Sequence, residues 1–141
     1  MPLQRVLFVC LGNACRSQMA EGWLRRLAGE RFEAFSAGTQ PAGLNSQAVA
    51  AMREIGIDIS HHRSKRVSAL AHEHFDHVIT VCNRARESCP LLPDAKALHW
   101  DFDDPASAKG SPEDQAAVFR RVRDEIAARI RQFLDTPAAG R

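Results

Sequence analysis

Cys10 and Arg16, with five residues between them, lie between a short apolar run and a helical pattern near the start of the chain. The run at 6–9 is typical of a short buried strand. After Arg16, apolar residues recur at every fourth position from Met19 to Leu27, which is the spacing of one helix face. The segment 10–17 is therefore predicted to be a loop that joins a strand to the start of a helix.

Such a loop is suited to binding a tetrahedral oxyanion, because its backbone N–H groups and the helix dipole both favour negative charge. A thiol beside the same N–H groups is easier to ionise, and the thiolate is the nucleophile. The Arg16 guanidinium adds a planar donor that binds two oxygens at once. We predict that Cys10 attacks a phosphate-like anion, which is bound by Leu11, Gly12, Asn13, Ala14, Cys15, Arg16 and Ser17.

The composition is that of one ordinary globular domain, which we assign to residues 1–141. A net charge of +2 is too small to indicate a nucleic-acid or membrane partner, and no apolar stretch is as long as a membrane span. No signal peptide is recognised, so the expected location is the cytoplasm. Four cysteines in that compartment favour catalytic, redox or metal-binding roles over structural disulfides.

Strand and helix patterns alternate along the chain, which predicts an α/β fold with a parallel sheet covered on both faces. Predicted strands lie at 6–10, 32–36, 78–82 and 97–100, and predicted helices lie at 17–28 and 45–55, weakly at 67–72, and from 111 onward. Cys10 and Cys82 both end predicted strands. Because parallel strands end at one edge of the sheet, the two thiols are expected at the same edge.

The Cys-x5-Arg-Ser motif at the start of a helix resembles the low-molecular-weight tyrosine phosphatases and the related thioredoxin-coupled arsenate reductases. Further segments are similar to the reductase branch and cover nearly the whole chain: 17–23, 36–38, 56–60, 81–82 with 89–90, 99–100 and 102–105. The resemblance implies a three-layer α/β/α domain with a four-stranded parallel sheet. It also implies that the active site lies at the carboxyl ends of the strands.

For the reductase branch, the resemblance implies a relay of three cysteines. Cys10 attacks arsenate, Cys82 attacks Cys10 and expels arsenite, and Cys89 attacks Cys82 to leave a Cys82–Cys89 disulfide for thioredoxin. Two cysteines can join only when their Cα atoms are within roughly 7 Å, so the segment after Cys82 is expected to rearrange. The predicted partners are arsenate and thioredoxin, and we expect a monomer without a bound cofactor or metal.

An acidic loop follows the fourth predicted strand. Asp104-Pro105 matches the position where the family has its general acid, which supplies a proton to the departing oxygen. The neighbouring carboxylates, Asp101 and Asp103, are interpreted as part of a solvated turn.

Two departures from the family pattern affect the prediction. The phosphatase branch has tyrosines after the Asp-Pro pair, whereas this chain contains no tyrosine, which disfavours a protein-tyrosine phosphatase. Some of the reductases bind potassium through residues that match Asn13, Glu21 and Ser36, together with an aspartate where this chain has Lys65. Our hypothesis is that the Lys65 ammonium takes the cation's place beside Glu21; the alternative is an exposed loop lysine.

Three alternatives remain open. The first is a phosphatase that hydrolyses phosphate monoesters through a Cys10 phospho-enzyme. The second is a non-enzymatic thiol or metal sensor that uses Cys82, Cys89 and the histidines at 72, 74 and 77 and is indifferent to Arg16, although Cys-x6-Cys is not a standard zinc spacing. In the third, a small thiol resolves the Cys10 adduct, and such an enzyme would not need Cys89.

Overall fold

The computed structural model describes residues 3–70, 72–83, 85 and 95–136. Within these residues the chain forms four strands, three α-helices and two short 3₁₀ turns. In chain order they are β1 (Gln4–Cys10), α1 (Arg16–Ala28), β2 (Phe32–Gly38), α2 (Ser46–Arg53), a 3₁₀ turn (Val67–Leu70), β3 (His77–Thr80), β4 (Lys96–His99), a second 3₁₀ turn (Pro105–Ser107) and α3 (Pro112–Leu134).

The four strands form one sheet in the order β2-β1-β3-β4, and every neighbouring pair is parallel. The predicted four-stranded parallel sheet is therefore confirmed. In the register, Cys10 lies opposite Gly38 on β2, and Val9 lies opposite Thr80 on β3. The carboxyl ends of β1, β2 and β3 thus meet at one edge, as the sequence predicts for the site.

Both faces of the central strand β1 are buried, as expected for a strand inside a parallel sheet. On one face Phe8 packs against Trp100, with ring centroids 5.9 Å apart. On β2, Phe35 lies opposite Leu7 of β1 and packs edge-on against Phe75. Helix α1 contacts β1, β2 and both other helices.

Side chains cap the starts of α2 and α3. Asn45 caps α2, since its side chain accepts hydrogen bonds from the N–H groups of Gln47 and Ala48. Ser111 and Asp114 form a reciprocal capping box at the start of α3, with Pro112 as the first helical residue.

The structure corrects several details. The weak helix predicted at 67–72 is only the turn Val67–Leu70, and Cys82 lies two residues beyond β3 rather than at its end. His77, one of the histidines considered for a metal sensor, is buried in β3, where it contacts Gln4. In the described part of the chain, no three His, Cys, Asp or Glu side chains form a potential metal site. No helix there is both long and apolar enough to cross a membrane.

Candidate active site

The loop between β1 and α1 surrounds the sulfur of Cys10. The N–H of Asn13 donates a hydrogen bond to Sγ over 3.1 Å, and the hydroxyl oxygen of Ser17 lies 2.8 Å from the same sulfur. Asn13 has a backbone φ of 47°, the left-handed conformation expected there, which asparagine tolerates better than most residues. The positive φ allows the chain to turn back so that this N–H faces Cys10.

The direction of the Ser17 hydrogen bond follows from its neighbours. The backbone N–H of Lys65 can only donate, and it lies 2.9 Å from Asn13 Oδ1, so the amide nitrogen of Asn13 faces Ser17. That nitrogen donates to Ser17 Oγ over 2.8 Å. The hydroxyl hydrogen of Ser17 is therefore directed at Cys10, whose sulfur accepts two hydrogen bonds, as a thiolate requires.

The carbonyl groups of the loop are bound by the segment that follows β2. The N–H groups of residues 39, 40, 42 and 45 donate to the carbonyl oxygens of Cys10, Leu11, Gly12 and Ala14 over 2.7–3.2 Å. With its carbonyls engaged on the outer side, the loop leaves its N–H groups for an anion on the inner side. Gly38 makes this approach possible, because a Cβ there would lie only 2.7 Å from the Leu11 oxygen.

Arg16 and Asp104 meet at the mouth of the loop. Arg16 donates through Nη1 to the carbonyl of Phe102 over 3.1 Å, and its Nη2 lies 3.9 Å from Asp104 Oδ2. Asp104 accepts from the Ala106 N–H and the Ser107 hydroxyl over 3.0 and 3.2 Å, which orients its carboxylate.

The other acidic side chains of this loop have different surroundings. Asp103 pairs with Arg121 on α3 at 3.0 Å, and Asp101 is exposed. Of the three, only Asp104 lines the cavity of Cys10.

This cavity has a volume of about 420 Å³. One wall is the loop, and the other walls come from the segment after β2 and from the acidic loop: Cys10, Leu11, Gly12, Ala14, Cys15, Arg16, Ala42, Gly43, Leu44, Asn45, Asp104 and Ala106. Two of the residues predicted to bind substrate, Asn13 and Ser17, are fully buried and do not line it. They contact the nucleophile from behind instead.

Cys15 lines the cavity but does not have the properties of a nucleophile. Burial, together with the negative charge of Asp104, raises the pKa of its thiol to about 12. Cys15 therefore stays protonated at neutral pH.

Cys82 follows β3 at the same edge of the sheet as the nucleophile. The N–H of Val81 donates to the Val9 carbonyl over 2.8 Å, which extends the pairing of β3 with β1 as far as Cys10. Adjacent strands are roughly 4.8 Å apart, so the chain ends that bear Cys10 and Cys82 are neighbours. Cys82 is buried, with an exposed fraction of 4%, and its sulfur accepts a hydrogen bond from the Ala85 N–H. Cys89 lies outside the described residues, so its pairing with Cys82 stays a prediction.

Of the residues compared with a cation site, Ser36 contacts the carboxylate of Glu21. Ser36 donates to one carboxylate oxygen over 2.6 Å, and Arg25 donates to the other over 2.8 Å. The ammonium of Lys65 donates to the Arg63 carbonyl over 3.0 Å and forms no ion pair with Glu21.

Burial lowers the pKa of Lys65, and the nearby charge of Glu21 partly opposes that shift. The cation in contact with Glu21 is thus Arg25, which the sequence analysis missed. The i,i+4 spacing of the two residues on one helix was the available signal.

A chain of oriented hydrogen bonds connects Arg25 with the loop. The Gln18 amide nitrogen donates to the carbonyls of Asn13 and Arg63 over 3.1 and 3.0 Å, so its oxygen faces His62 Nδ1, which must bear a hydrogen. Nε2 of His62 then accepts from Arg25 over 3.0 Å. Burial lowers the pKa of His62, in keeping with a neutral ring. The sequence pattern alone assigns no role to His62 or Gln18.

Comparison with known proteins places this site in a family. The profile of the family described as low molecular weight phosphotyrosine protein phosphatase matches residues 5–139. The chain belongs to this family. It is 48% identical to an arsenate reductase of Halalkalibacterium halodurans and 46% identical to an arsenate reductase of Bacillus subtilis, in each case over 132 residues that cover 93% of this chain and 95% of the relative.

Solved structures of both branches of the family share the fold. An arsenate reductase in the phosphate binding state superposes with a TM-score of 0.76 at 31% identity, over 94% of this chain and 97% of that one. A low molecular weight protein tyrosine phosphatase from T. tengcongensis has a TM-score of 0.74 at 30% identity, over 94% and 98%. The predicted phosphatase-like α/β fold is confirmed.

Proposed function

We propose that this protein reduces arsenate to arsenite in arsenic detoxification. The observation that supports the proposal best is a second buried thiol, Cys82, at the same edge of the sheet as an oxyanion loop whose own cysteine accepts two hydrogen bonds. A hydrolytic phosphatase needs only the first thiol. The two bacterial relatives described above bear the name arsenate reductase.

In the first step the Cys10 thiolate attacks the arsenic atom and forms a sulfur–arsenic bond. The N–H groups of the loop and the Arg16 guanidinium bind the arsenate oxygens and compensate their charge. Asp104, which lines the same cavity, gives a proton to the oxygen opposite the sulfur, and that oxygen leaves as water.

In the second step the Cys82 thiolate attacks the Cys10 sulfur. A Cys10–Cys82 disulfide forms while the sulfur–arsenic bond breaks, so two electrons pass to arsenic and arsenite is released. Cys89 then attacks the Cys82 sulfur, which returns Cys10 to the thiolate and leaves a Cys82–Cys89 disulfide. Thioredoxin reduces this disulfide by the same exchange chemistry; one structural neighbour, from Corynebacterium glutamicum, is a thioredoxin-dependent arsenate reductase.

Since the cysteines and thioredoxin supply both electrons, the cycle needs no bound cofactor or metal. The cycle starts from three reduced thiols, and the cytoplasm keeps thiols reduced, so we propose that the enzyme acts there. We also propose that it is a monomer.

A phosphatase is the second candidate, because a loop and an acid suited to arsenate also suit phosphate. One structural neighbour is an arsenate reductase in the phosphate binding state. The described lining of the cavity, however, contains no aromatic side chain that would stack on a phosphotyrosine ring. We therefore expect weak hydrolysis of aryl phosphates beside efficient reduction of arsenate.

The ratio of the two activities tests the proposal. Arsenate reduction is measured as NADPH oxidation with thioredoxin and thioredoxin reductase, and hydrolysis is measured with an aryl phosphate on the same preparation. Cys10→Ser should abolish both activities, whereas Cys82→Ser should abolish reduction and spare hydrolysis. Turnover of the aryl phosphate without any arsenate-dependent NADPH oxidation would instead identify a phosphatase.

A further inference from the structure

The chain around Cys82 is tied to the neighbouring strand by one imidazole ring. His99 is the last residue of β4 and lies opposite Thr80 in the sheet register. Its Nδ1 is 2.8 Å from Thr80 Oγ1, and its Nε2 is 3.0 Å from Asn83 Oδ1. Because Thr80 precedes Cys82 by two residues and Asn83 follows it directly, His99 bridges the two sides of this cysteine.

Both hydrogen bonds can be formed by the neutral ring. Asn83 Oδ1 can only accept a hydrogen bond, so the hydrogen of the neutral ring lies on the nitrogen that faces it, and the Thr80 hydroxyl donates to Nδ1 over 2.8 Å. Nδ1 is then an acceptor, and the ring hydrogen is on Nε2. From there it is donated to Asn83 Oδ1, so each ring nitrogen has one suitable partner.

The bridge lies beside a buried thiol. Cys82 has an exposed fraction of 4%, and its sulfur accepts a hydrogen bond from the Ala85 N–H. Asn83, which His99 contacts, is exposed and follows Cys82 directly. A sulfur that is attacked by another thiolate must be reached by it, so the contacts of Asn83 and Ala85 have to change before Cys82 can exchange its partner.

We propose that His99 is a positioning residue that latches the chain on both sides of Cys82. The His99–Asn83 bond keeps Cys82 buried in the reduced protein, and this bond opens when Cys82 passes its disulfide to Cys89. The opening of the bond during turnover rests on the proposed relay. The burial of Cys82 in the reduced protein does not depend on it.

The latch is tested by the rate at which iodoacetamide alkylates each cysteine of the reduced full-length protein, followed by peptide mapping in the mass spectrometer. His99→Ala and Asn83→Ala each remove the bond from one side. Each should speed alkylation of Cys82 by roughly two- to tenfold, the range expected for one net hydrogen bond. Alkylation of Cys10 should not change.

Two further variants make the test specific. His74→Ala removes an exposed histidine from the loop before β3, away from Cys82, and should leave the Cys82 rate at its wild-type value. In the double variant His99→Ala/Asn83→Ala, the effect should equal that of one single change, because both remove the same bond.

An alkylation rate of Cys82 that is unchanged in both single variants would overturn the proposed latch. So would a double variant whose effect is the product of the two single effects. Alkylation requires neither arsenate nor thioredoxin. An enzyme with no arsenate turnover would therefore refute the proposed function, while the latch would still be decided by the alkylation rates.

Discussion

Removal of the Ser17 hydroxyl should slow the attack of Cys10 on arsenate. The two hydrogen bonds to the Cys10 sulfur come from the Asn13 N–H and from Ser17, at 3.1 and 2.8 Å, and both are buried. A hydrogen bond to a charged group contributes roughly 1.5–3 kcal/mol. Since about 1.36 kcal/mol corresponds to a tenfold change in rate, Ser17→Ala should lower the rate of this step by about 10- to 150-fold.

The assay is rapid mixing of the reduced protein with arsenate in a single turnover, with release of arsenite as the signal. Ser60→Ala is the matched control, because Ser60 is an exposed serine that contacts only the nearby Asp58 among the described partners. Its rate should equal that of the wild type. If Ser17→Ala reacted within about threefold of the wild type, the assigned direction of the Ser17 hydrogen bond would be wrong.

Three further predictions concern the acid, the Arg25–Glu21 ion pair and a buried histidine. Asp104→Asn should lower kcat for arsenate by about 10²–10⁴-fold. The control Asp103→Asn, which changes the carboxylate paired with Arg121, should have little effect on kcat. Equal losses of kcat in the two variants would contradict the assignment of Asp104 as the acid. Replacing potassium by sodium should leave the rate unchanged, because Arg25 already neutralises Glu21, and a marked stimulation by potassium would refute this. Burial lowers the pKa of His77, so the unfolded chain binds the proton better and the free energy of unfolding should fall as the pH drops below about 6.5. Urea titrations at about pH 7.5 and 5.5 measure this fall, which should be smaller in His77→Gln.

The nucleophile and its loop could be predicted because their chemistry depends on residues that are close in sequence. A strand end, a turn and a helix start within eight residues place Cys10 beside the N–H groups that an oxyanion needs. The caps of α2 and α3 were predictable for the same reason, since a cap and its partners lie within one helical turn.

The network behind the loop could not be predicted, because it joins residues that are far apart in sequence. Lys65 binds Asn13 through its backbone N–H, and any residue except proline would have the same donor. The contact between Gln18 and His62 spans 44 residues and depends on how the Gln18 amide is oriented by two carbonyl groups. Such contacts follow from the fold and leave no spacing signal in the sequence.

The cation hypothesis illustrates the difference between contacts that sequence spacing predicts and contacts that depend on the fold. The sequence comparison drew attention to Lys65 because it stands where some reductases have a ligand, but its ammonium contacts the Arg63 carbonyl. Arg25 lies one helical turn after Glu21 on α1 and therefore reaches the carboxylate with little ordering of its side chain.

The central claim is that Cys82 and Cys89 supply, by way of Cys10, the two electrons that reduce arsenate to arsenite. The most direct test is a single turnover of the reduced protein with arsenate and without thioredoxin, followed by peptide mapping of the disulfide. We expect one arsenite per chain and a Cys82–Cys89 disulfide in the wild type, and a trapped Cys10–Cys82 disulfide in Cys89→Ser. Arsenite release with Cys82 and Cys89 still reduced would contradict the relay.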